Sequence, residues 1–345
     1  MSLRLRRTGG RAGAAGFSLA ETLVATTLTM IVLGTAVGAL SDAVKLGDKT
    51  RRVADTNQGL QAALALMVRD FIQTGHGIPS GGIPLPSGDG AVAIGRPGPP
   101  GASLTFPADW QTVPAVSPGA GLGPTIRGQA TDLVTIISAD ATLALSQWPL
   151  AAVAADGSNI TVDARTAITG AGGVHAGDII MFSNALGNAL QSVTRTDHQT
   201  VYFEAGDAWH LNQRGAETGS VMALRSGESF PPTTATRIVF ISYYIDAVTD
   251  TEWPRLVRQV NAGVQPAVAL GVENLQFSFD LVDGLTNPAN VRTPADENSA
   301  NQIRKVNIFV AGRSQDLDQS TGAFFRNAVA TQVSLRSLSF MDRYR

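Results

Sequence analysis

The chain has 345 residues, 44% hydrophobic and 16% charged, which is enough to bury one large core or two small ones. It contains no cysteine, and this excludes a disulfide framework, thiol catalysis and thiolate metal sites. The formal net charge of −2 argues against a broad nucleic-acid-binding surface.

Residues 1–16 form a cationic leader. All of its charges are positive, and they come from Arg4, Arg6, Arg7 and Arg11. Positively charged residues beside a membrane segment stay on the cytoplasmic side. The leader therefore predicts a cytoplasmic N-terminus and export of the C-terminal part of the chain.

An apolar run covers residues 17–40 and contains a single charged side chain, Glu21. The run is long enough to cross a bilayer, which takes roughly 20 residues in a helix. A lone carboxylate in such a run is costly, so we interpret Glu21 as functional. A cleaved secretory signal ending near residues 38–41 and an ordinary signal anchor are alternatives, but neither accounts for Glu21.

Residues 16–21, Gly-Phe-Ser-Leu-Ala-Glu, resemble the signal of type IV pilins and pseudopilins. The resemblance implies that prepilin peptidase cuts between Gly16 and Phe17 and that the new amine of Phe17 is methylated. It also implies that Glu21, the fifth residue after the cut, pairs with the N-terminal amine of a neighbouring subunit in a filament. Gly16 suits a cleavage site because a residue without a side chain lets a protease approach the backbone.

The apolar run continues into an amphipathic segment without a proline before residue 79. Apolar residues recur at helical spacing with charges between them, at Leu46, Val53, Leu60, Leu64, Met67 and Phe71. This predicts one helix from about residue 17 to residue 74, in which residues 17–40 form the transmembrane or filament-core half and residues 41–75 the amphipathic half. Two helices broken near Gly47 are the alternative.

The remainder of the chain divides into two regions. Residues 76–130 are rich in Gly and Pro and are predicted to form a loop over the surface. Residues 131–345 are predicted to be a β-rich exported domain. Its expected strands include Arg237–Asp246 paired with Leu256–Val260, then Ile303–Ala311 and Val329–Phe340. The predicted fold class is α+β, with a type IV pilin-like long helix packed on an antiparallel sheet domain.

A second resemblance concerns the C-terminal half. Several blocks occur in the order seen in PilW-like minor pilins, and pseudopilin J of type II secretion has a related pattern: Gly177–Met181, Tyr243–Asp246, Arg255–Arg258, Ala269–Phe277, Val306–Val310 and Thr331–Ser337. The resemblance implies a minor pilin that primes type IV pilus assembly or forms the pilus tip. The implied partners are prepilin peptidase, other minor and major pilins, and the assembly platform in the inner membrane.

The same resemblance implies a location. The chain would cross the inner membrane once, with its N-terminus in the cytoplasm and its C-terminal domain in the periplasm. It would then enter a pilus or a periplasmic pseudopilus.

Motifs for catalysis are missing from the sequence. It has neither a Gly-x-Ser-x-Gly elbow nor a phosphate-binding loop, and its four histidines lack metal-ligand spacing. His198 and His210 are the pair that could meet in space, while Asp316 and Asp318 lack the other ligands of a calcium loop. We therefore expect no enzyme, no cofactor and no metal.

Three other functions stay open. The nearest is a pseudopilin of a type II secretion system. A pilus-tip subunit for adhesion or DNA uptake would need clustered basic residues, and the close pairs outside the leader are Arg51-Arg52 and Arg304-Lys305, so nucleic-acid binding is not expected. A secreted enzyme released by ordinary signal cleavage is the third.

Overall fold

A computed structural model describes residues 16–140, 142–143, 145–170, 172–294, 298–318 and 321–338. The leader arginines, Arg4, Arg6, Arg7 and Arg11, lie outside the described residues. The chain separates into two compact units, Met1–Arg52 and Val53–Arg345.

One helix, α1, runs without a break from Leu19 to Gln73. The sequence predicted nearly these ends, and the alternative break near Gly47 is not observed. Gly75 follows the helix with φ of +80°, a left-handed conformation that glycine adopts without steric cost. Its N–H donates to the carbonyl of Ile137 at 2.9 Å, so the chain leaves the helix bound to a strand.

The part of α1 after residue 52 is amphipathic. Leu60, Leu64, Met67 and Phe71 are buried there, as the periodicity predicted. Leu46 was expected on the same face, but it is exposed.

The rest of the described chain is mainly β-structure, and every strand pair in it is antiparallel. The strands are β1 Ile83–Pro84, β2 Thr112–Val113, β3 Val116–Gly119, β4 Thr125–Ile126, β5 Gln129–Ala130, β6 Leu133–Ala139, β7 Ala152–Val153, β8 Asn159–Thr161, β9 Ile179–Asn184, β10 Gly187–Ser192, β11 Arg195–Asp197, β12 Thr200–Tyr202, β13 Thr234–Asp246, β14 Arg255–Val260, β15 Ala267–Leu270, β16 Val272–Leu281, β17 Ile303–Asp318 and β18 Ala323–Ser334. Short 3₁₀ helices lie at Leu145–Gln147, Val221–Leu224, Ala300–Gln302 and Arg336–Leu338.

These strands form three larger sheets within the described residues. A seven-stranded sheet contains β3, β6, β9, β10, β13, β14 and β15, a four-stranded sheet has the order β11-β12-β8-β7, and a three-stranded sheet has the order β16-β17-β18. The predicted hairpin is present, with Tyr244 opposite Val257. A long apolar N-terminal helix combined with antiparallel sheets confirms the general α+β layout.

Two strand predictions need correction at their ends. The strand expected over Ile303–Ala311 continues to Asp318, and the one expected over Val329–Phe340 is Ala323–Ser334. Phe340 lies outside the described residues. β17 and β18 form one long hairpin, in which Lys305 lies opposite Ser334 and Asp318 lies opposite Ala323. Hydrogen bonding between the two strands accounts for their lengths.

The Gly/Pro-rich region 76–130, predicted to be a surface loop, also contains short strands and contributes side chains to the core. It contains β1 to β5, and Ile83, Phe106, Val113 and Val116 are buried. Gly and Pro turn the chain often, but the apolar residues between the turns reach the core. Composition alone identified the turns and missed the core residues.

The apolar side chains form one large core and a smaller one. The large core joins α1 to the seven-stranded and three-stranded sheets, and the rings of Phe71 and Phe277 lie 6.1 Å apart in it. The smaller core lies around the four-stranded sheet, where Phe182 and Phe203 meet edge to face at 5.3 Å.

Candidate processing and assembly site

The N-terminus of α1 is closed by two reciprocal hydrogen bonds. The Ser18 carbonyl accepts the first helical bond, from the N–H of Thr22 at 3.1 Å. The Ser18 hydroxyl oxygen accepts from the N–H of Glu21 at 3.2 Å, and Oε2 of Glu21 accepts from the N–H of Ser18 at 2.9 Å. This is a capping box, and it places a negative charge where the helix dipole favours one.

The predicted cleavage bond lies directly before this cap. Gly16 and Phe17 precede the first helical residue, and the side chain of Phe17 is 84% exposed. A Cβ on Gly16 would have no described atom within 4 Å. No described residue therefore crowds the Gly16–Phe17 bond, and Glu21 lies in the first turn of the helix that follows it.

From Thr22 to Leu40 the helix is uncharged, mainly apolar and exposed on all sides. Leu23, Ile31, Val37 and Leu40 point in different directions around the helix, and each is more than half exposed. An 18-residue window has a mean hydropathy of 2.0 and no buried residue. By length and composition, α1 is long and apolar enough to cross a membrane.

The threonine hydroxyls inside this run are already paired. It contains five threonines, and each hydroxyl donates to a carbonyl three or four residues earlier, at 2.7–3.0 Å: Thr22, Thr26, Thr27, Thr29 and Thr35. Such bonds satisfy hydroxyls where no water is at hand. The carboxylate of Glu21 is thus the one side chain in the run that retains strong capacity for an external partner.

A second polar cluster lies near the other end of α1. The buried carboxylate of Asp70 accepts from the hydroxyl of Tyr243 at 2.7 Å and from Nε of Arg258 at 2.6 Å. Burial and the neighbouring Asp70 charge raise the pKa of the Tyr243 hydroxyl, which therefore stays protonated as a donor. The cluster fixes the last turn of α1 to β13 and β14.

Sequence reasoning missed this cluster. Asp70 stands between Met67 and Phe71 on what the periodicity marks as the edge of the apolar face. The position of Asp70 beside buried neighbours could have indicated the cluster, because a buried carboxylate needs a hydrogen-bonding or charged partner. Its partner Arg258 lies 188 residues away, and no local pattern identifies it.

The histidines do not converge in the described part of the chain. Nδ1 of His198 lies 2.7 Å from Oδ1 of Asp197, whereas Nδ1 of His210 lies 3.3 Å from the carbonyl of Ala93. Among the described residues, no three His, Cys, Asp or Glu side chains are grouped closely enough to hold a metal ion. Asp318 accepts from the N–H of Thr321 at 3.2 Å and forms a turn.

Comparisons with known proteins give no relative. No protein-family model, no curated protein and no solved structure matches the chain.

Proposed function

We propose that this chain is a minor type IV pilin of the PilW-like kind, which prepilin peptidase cuts between Gly16 and Phe17. After methylation of the Phe17 amine, it takes part in priming pilus assembly or forms the pilus tip. The observation that carries the proposal is the N-terminus of α1. There an exposed Gly-Phe bond, a capping glutamate and an unbroken apolar helix follow one another in the order that such processing requires.

The capping geometry supports a role for Glu21 in assembly. In the single chain, Oε2 accepts the N–H of Ser18, and among the described residues Oε1 accepts no hydrogen bond. Cutting before Phe17 creates a cationic amine on every subunit. An amine from a neighbouring subunit can bind Oε1 without opening the cap, and such charge-assisted bonds are strong in an apolar medium.

The proposal includes a location. The cationic leader and the apolar helix favour an N-terminus in the cytoplasm and a β-domain in the periplasm, with the chain in the inner membrane until it is cut. The apolar surface of α1 then passes from lipid into a filament core, where neighbouring helices cover it.

The test is mass spectrometry of the mature N-terminus in the native host. We expect a chain that starts at N-methylated Phe17. Gly16→Leu should retain the leader, whereas Gly13→Leu, a matched change within the leader, should be cut normally. A mature chain that begins at or beyond Ser41 indicates an ordinary secretory signal and overturns the proposal.

Deleting the gene separates a pilin from a pseudopilin. A pilin gives loss of surface pili with unchanged protein secretion. A secretion defect with normal piliation assigns the same processed subunit to a type II secretion pseudopilus instead.

A further inference from the structure

Arg96 lies in the region that composition assigns to a surface loop, yet its side chain is buried. Its Nε donates to the hydroxyl of Thr135 at 3.2 Å. Its two terminal nitrogens donate to the carbonyls of Pro118 at 2.8 Å and Ser117 at 2.6 Å. All three acceptors are neutral, and a guanidinium has five N–H groups, so one on each terminal nitrogen is left over.

Within the described chain, no carboxylate pairs with Arg96. None of the ion pairs found among the described residues involves Arg96, and its cation–π contact is with the ring of Phe106, whose centroid lies 5.4 Å from Cζ. Burial lowers the pKa of Arg96 to about 9, so the side chain is still a cation at neutral pH. A buried cation without an anion is costly, which makes this an unusual arrangement to retain.

Arg96 borders a cavity of about 360 Å³, which we call the Arg96 cavity. Its wall includes Leu104, Trp209, His210, Gln259 and Ala262, and none of the residues that line it is acidic. The acid next along the chain is Asp207. Its carboxylate already accepts three backbone N–H groups of the turn that follows it, at 2.9–3.2 Å.

Two further lining residues, Trp209 and Gln259, keep N–H groups that are not used within the described chain. The indole N–H of Trp209 is buried and has no acceptor among the described residues. The side-chain oxygen of Gln259 accepts the hydroxyl of Tyr244 at 3.0 Å, so its amide nitrogen remains as a donor. Together with Arg96, these residues bring a positive charge and unused N–H groups to the lining of the cavity, beside apolar residues such as Leu104.

The cavity is held open by backbone contacts of the segments around it. The N–H of Gly95 donates to the carbonyl of Trp209 at 2.9 Å, and the N–H of Arg96 donates to that of Leu104 at 2.8 Å. A Cβ on Gly95 would lie only 3.1 Å from the carbonyl of Ala208, so glycine permits this close approach. The site is therefore preformed, as small-molecule sites usually are.

We propose that the Arg96 cavity binds a small organic carboxylate of amino-acid or monosaccharide size. The carboxylate would accept from the unused N–H groups of Arg96 and Trp209, and the rest of the ligand would lie against Leu104 and the indole ring. The volume fits this size class, since ligand pockets begin near 300 Å³. The inference is independent of processing at Gly16.

Titration calorimetry of the full chain in detergent, at constant ionic strength, tests whether the Arg96 cavity binds carboxylates. The probes are D-glucuronate with D-glucose, and N-acetylglutamate with N-acetylglutamine, so that each acid has a neutral counterpart of similar size. We expect saturable binding of at least one acid with a Kd of about 1 mM or lower. Its neutral counterpart should bind at least about tenfold more weakly. If neither acid binds more tightly than its counterpart, the proposal is wrong.

Two variants locate the binding. Ala262 lies at the exposed edge of the cavity, so Ala262→Trp should obstruct it without removing a hydrogen bond of Arg96 and should abolish acid binding. Ala151→Trp, at an exposed alanine away from the cavity, should bind as the wild type does. Arg96→Lys retains the charge without the fork of N–H groups, and we expect about tenfold weaker binding. Arg96 also donates to the Ser117 and Pro118 carbonyls of β3, so the Arg96 variant could fail to fold. In that case Ala262→Trp is the decisive variant, and unchanged acid binding by Ala262→Trp overturns the proposal.

Discussion

Nε of Arg258 lies 2.6 Å from Oδ2 of Asp70, and this contact joins β14 to the last turn of α1. The hydroxyl of Tyr243 donates to the same oxygen at 2.7 Å. Neither partner is fully exposed to water, since the side chains of Asp70 and Arg258 are 3% and 22% accessible. One carboxylate oxygen thus holds two strands of the large sheet against the helix.

Removing Asp70 should destabilise the domain strongly. Asp70→Ala leaves Arg258 and Tyr243 without their acceptor, and we expect a loss of about 3 kcal/mol in the free energy of unfolding. The control is Asp42→Ala on the same helix, where the pair with Lys45 is exposed and should contribute less than about 1 kcal/mol. Urea unfolding in detergent gives both values, and equal losses would contradict the role of the buried pair.

Changing Glu21 should separate processing from assembly. Glu21→Gln keeps a side-chain oxygen for the N–H of Ser18 but removes the charge, whereas Glu21→Ala removes both. We expect both variants to be cut before Phe17 and both to enter sheared pili about tenfold less than the wild type, because the neighbour's amine loses its anion.

The measurement for Glu21 is an immunoblot of sheared pili against whole cells. Asp42→Asn, on the same helix, is the control that should assemble normally. Normal assembly of Glu21→Gln would show that the cap suffices and that no charge pair is formed.

Asp246 should contribute to stability in a pH-dependent way. Burial alone would raise the pKa of Asp246, but the N–H groups of Thr249 and Val248 and the guanidinium of Arg255 outweigh it and lower the pKa to about 2. Because the folded pKa lies below the unfolded one, the stabilisation is present above pH 3.8 and is lost as the pH falls through about 2.

The lowered pKa of Asp246 also sets the size of this stabilisation. The difference corresponds to about 2 kcal/mol. Unfolding free energies measured between pH 5 and pH 2, in roughly half-unit steps, should fall less steeply for Asp246→Asn than for the wild type. Asp109→Asn, at the surface, should retain the wild-type slope. Parallel curves for the wild type and Asp246→Asn would refute the assignment.

Gly59 and Gly75 should respond in opposite directions to alanine. Gly59 lies inside α1, and a methyl group there would have open space around it, so Gly59→Ala should stabilise by about 0.5–1 kcal/mol. Gly75 has a φ of +80°, and a Cβ there would lie 2.6 Å from Leu338, so Gly75→Ala should destabilise by about 1–2 kcal/mol. Thermal unfolding compares the two, and a shift of the same sign would contradict the helix end at Gln73.

Local patterns predicted the parts of this fold that local physics determines. The spacing of Leu60, Leu64, Met67 and Phe71 predicted both the helix and its buried face. The Gly16-to-Glu21 segment could be singled out because its residues are adjacent in sequence, and the structure places Ser18 and Glu21 in one cap.

Long-range partners could not be predicted in this way. Asp70 and Arg258 are chemically ordinary until the sheet brings them together, and Arg96 sits in a Gly/Pro-rich stretch that is typical of a loop. Burial of such side chains depends on pairing between segments that are distant in sequence. Composition alone therefore places such side chains at the surface, where the structure buries them.

The five internally bonded threonines of α1 have a consequence for how one such helix meets another. A neighbouring helix that slides along this surface meets no free hydroxyl donor on these threonines, because each O–H group already donates within α1. Lateral attraction therefore varies little with axial position, except at Glu21. The surface of this helix is therefore uniform along its axis up to its first turn, where the carboxylate of Glu21 lies.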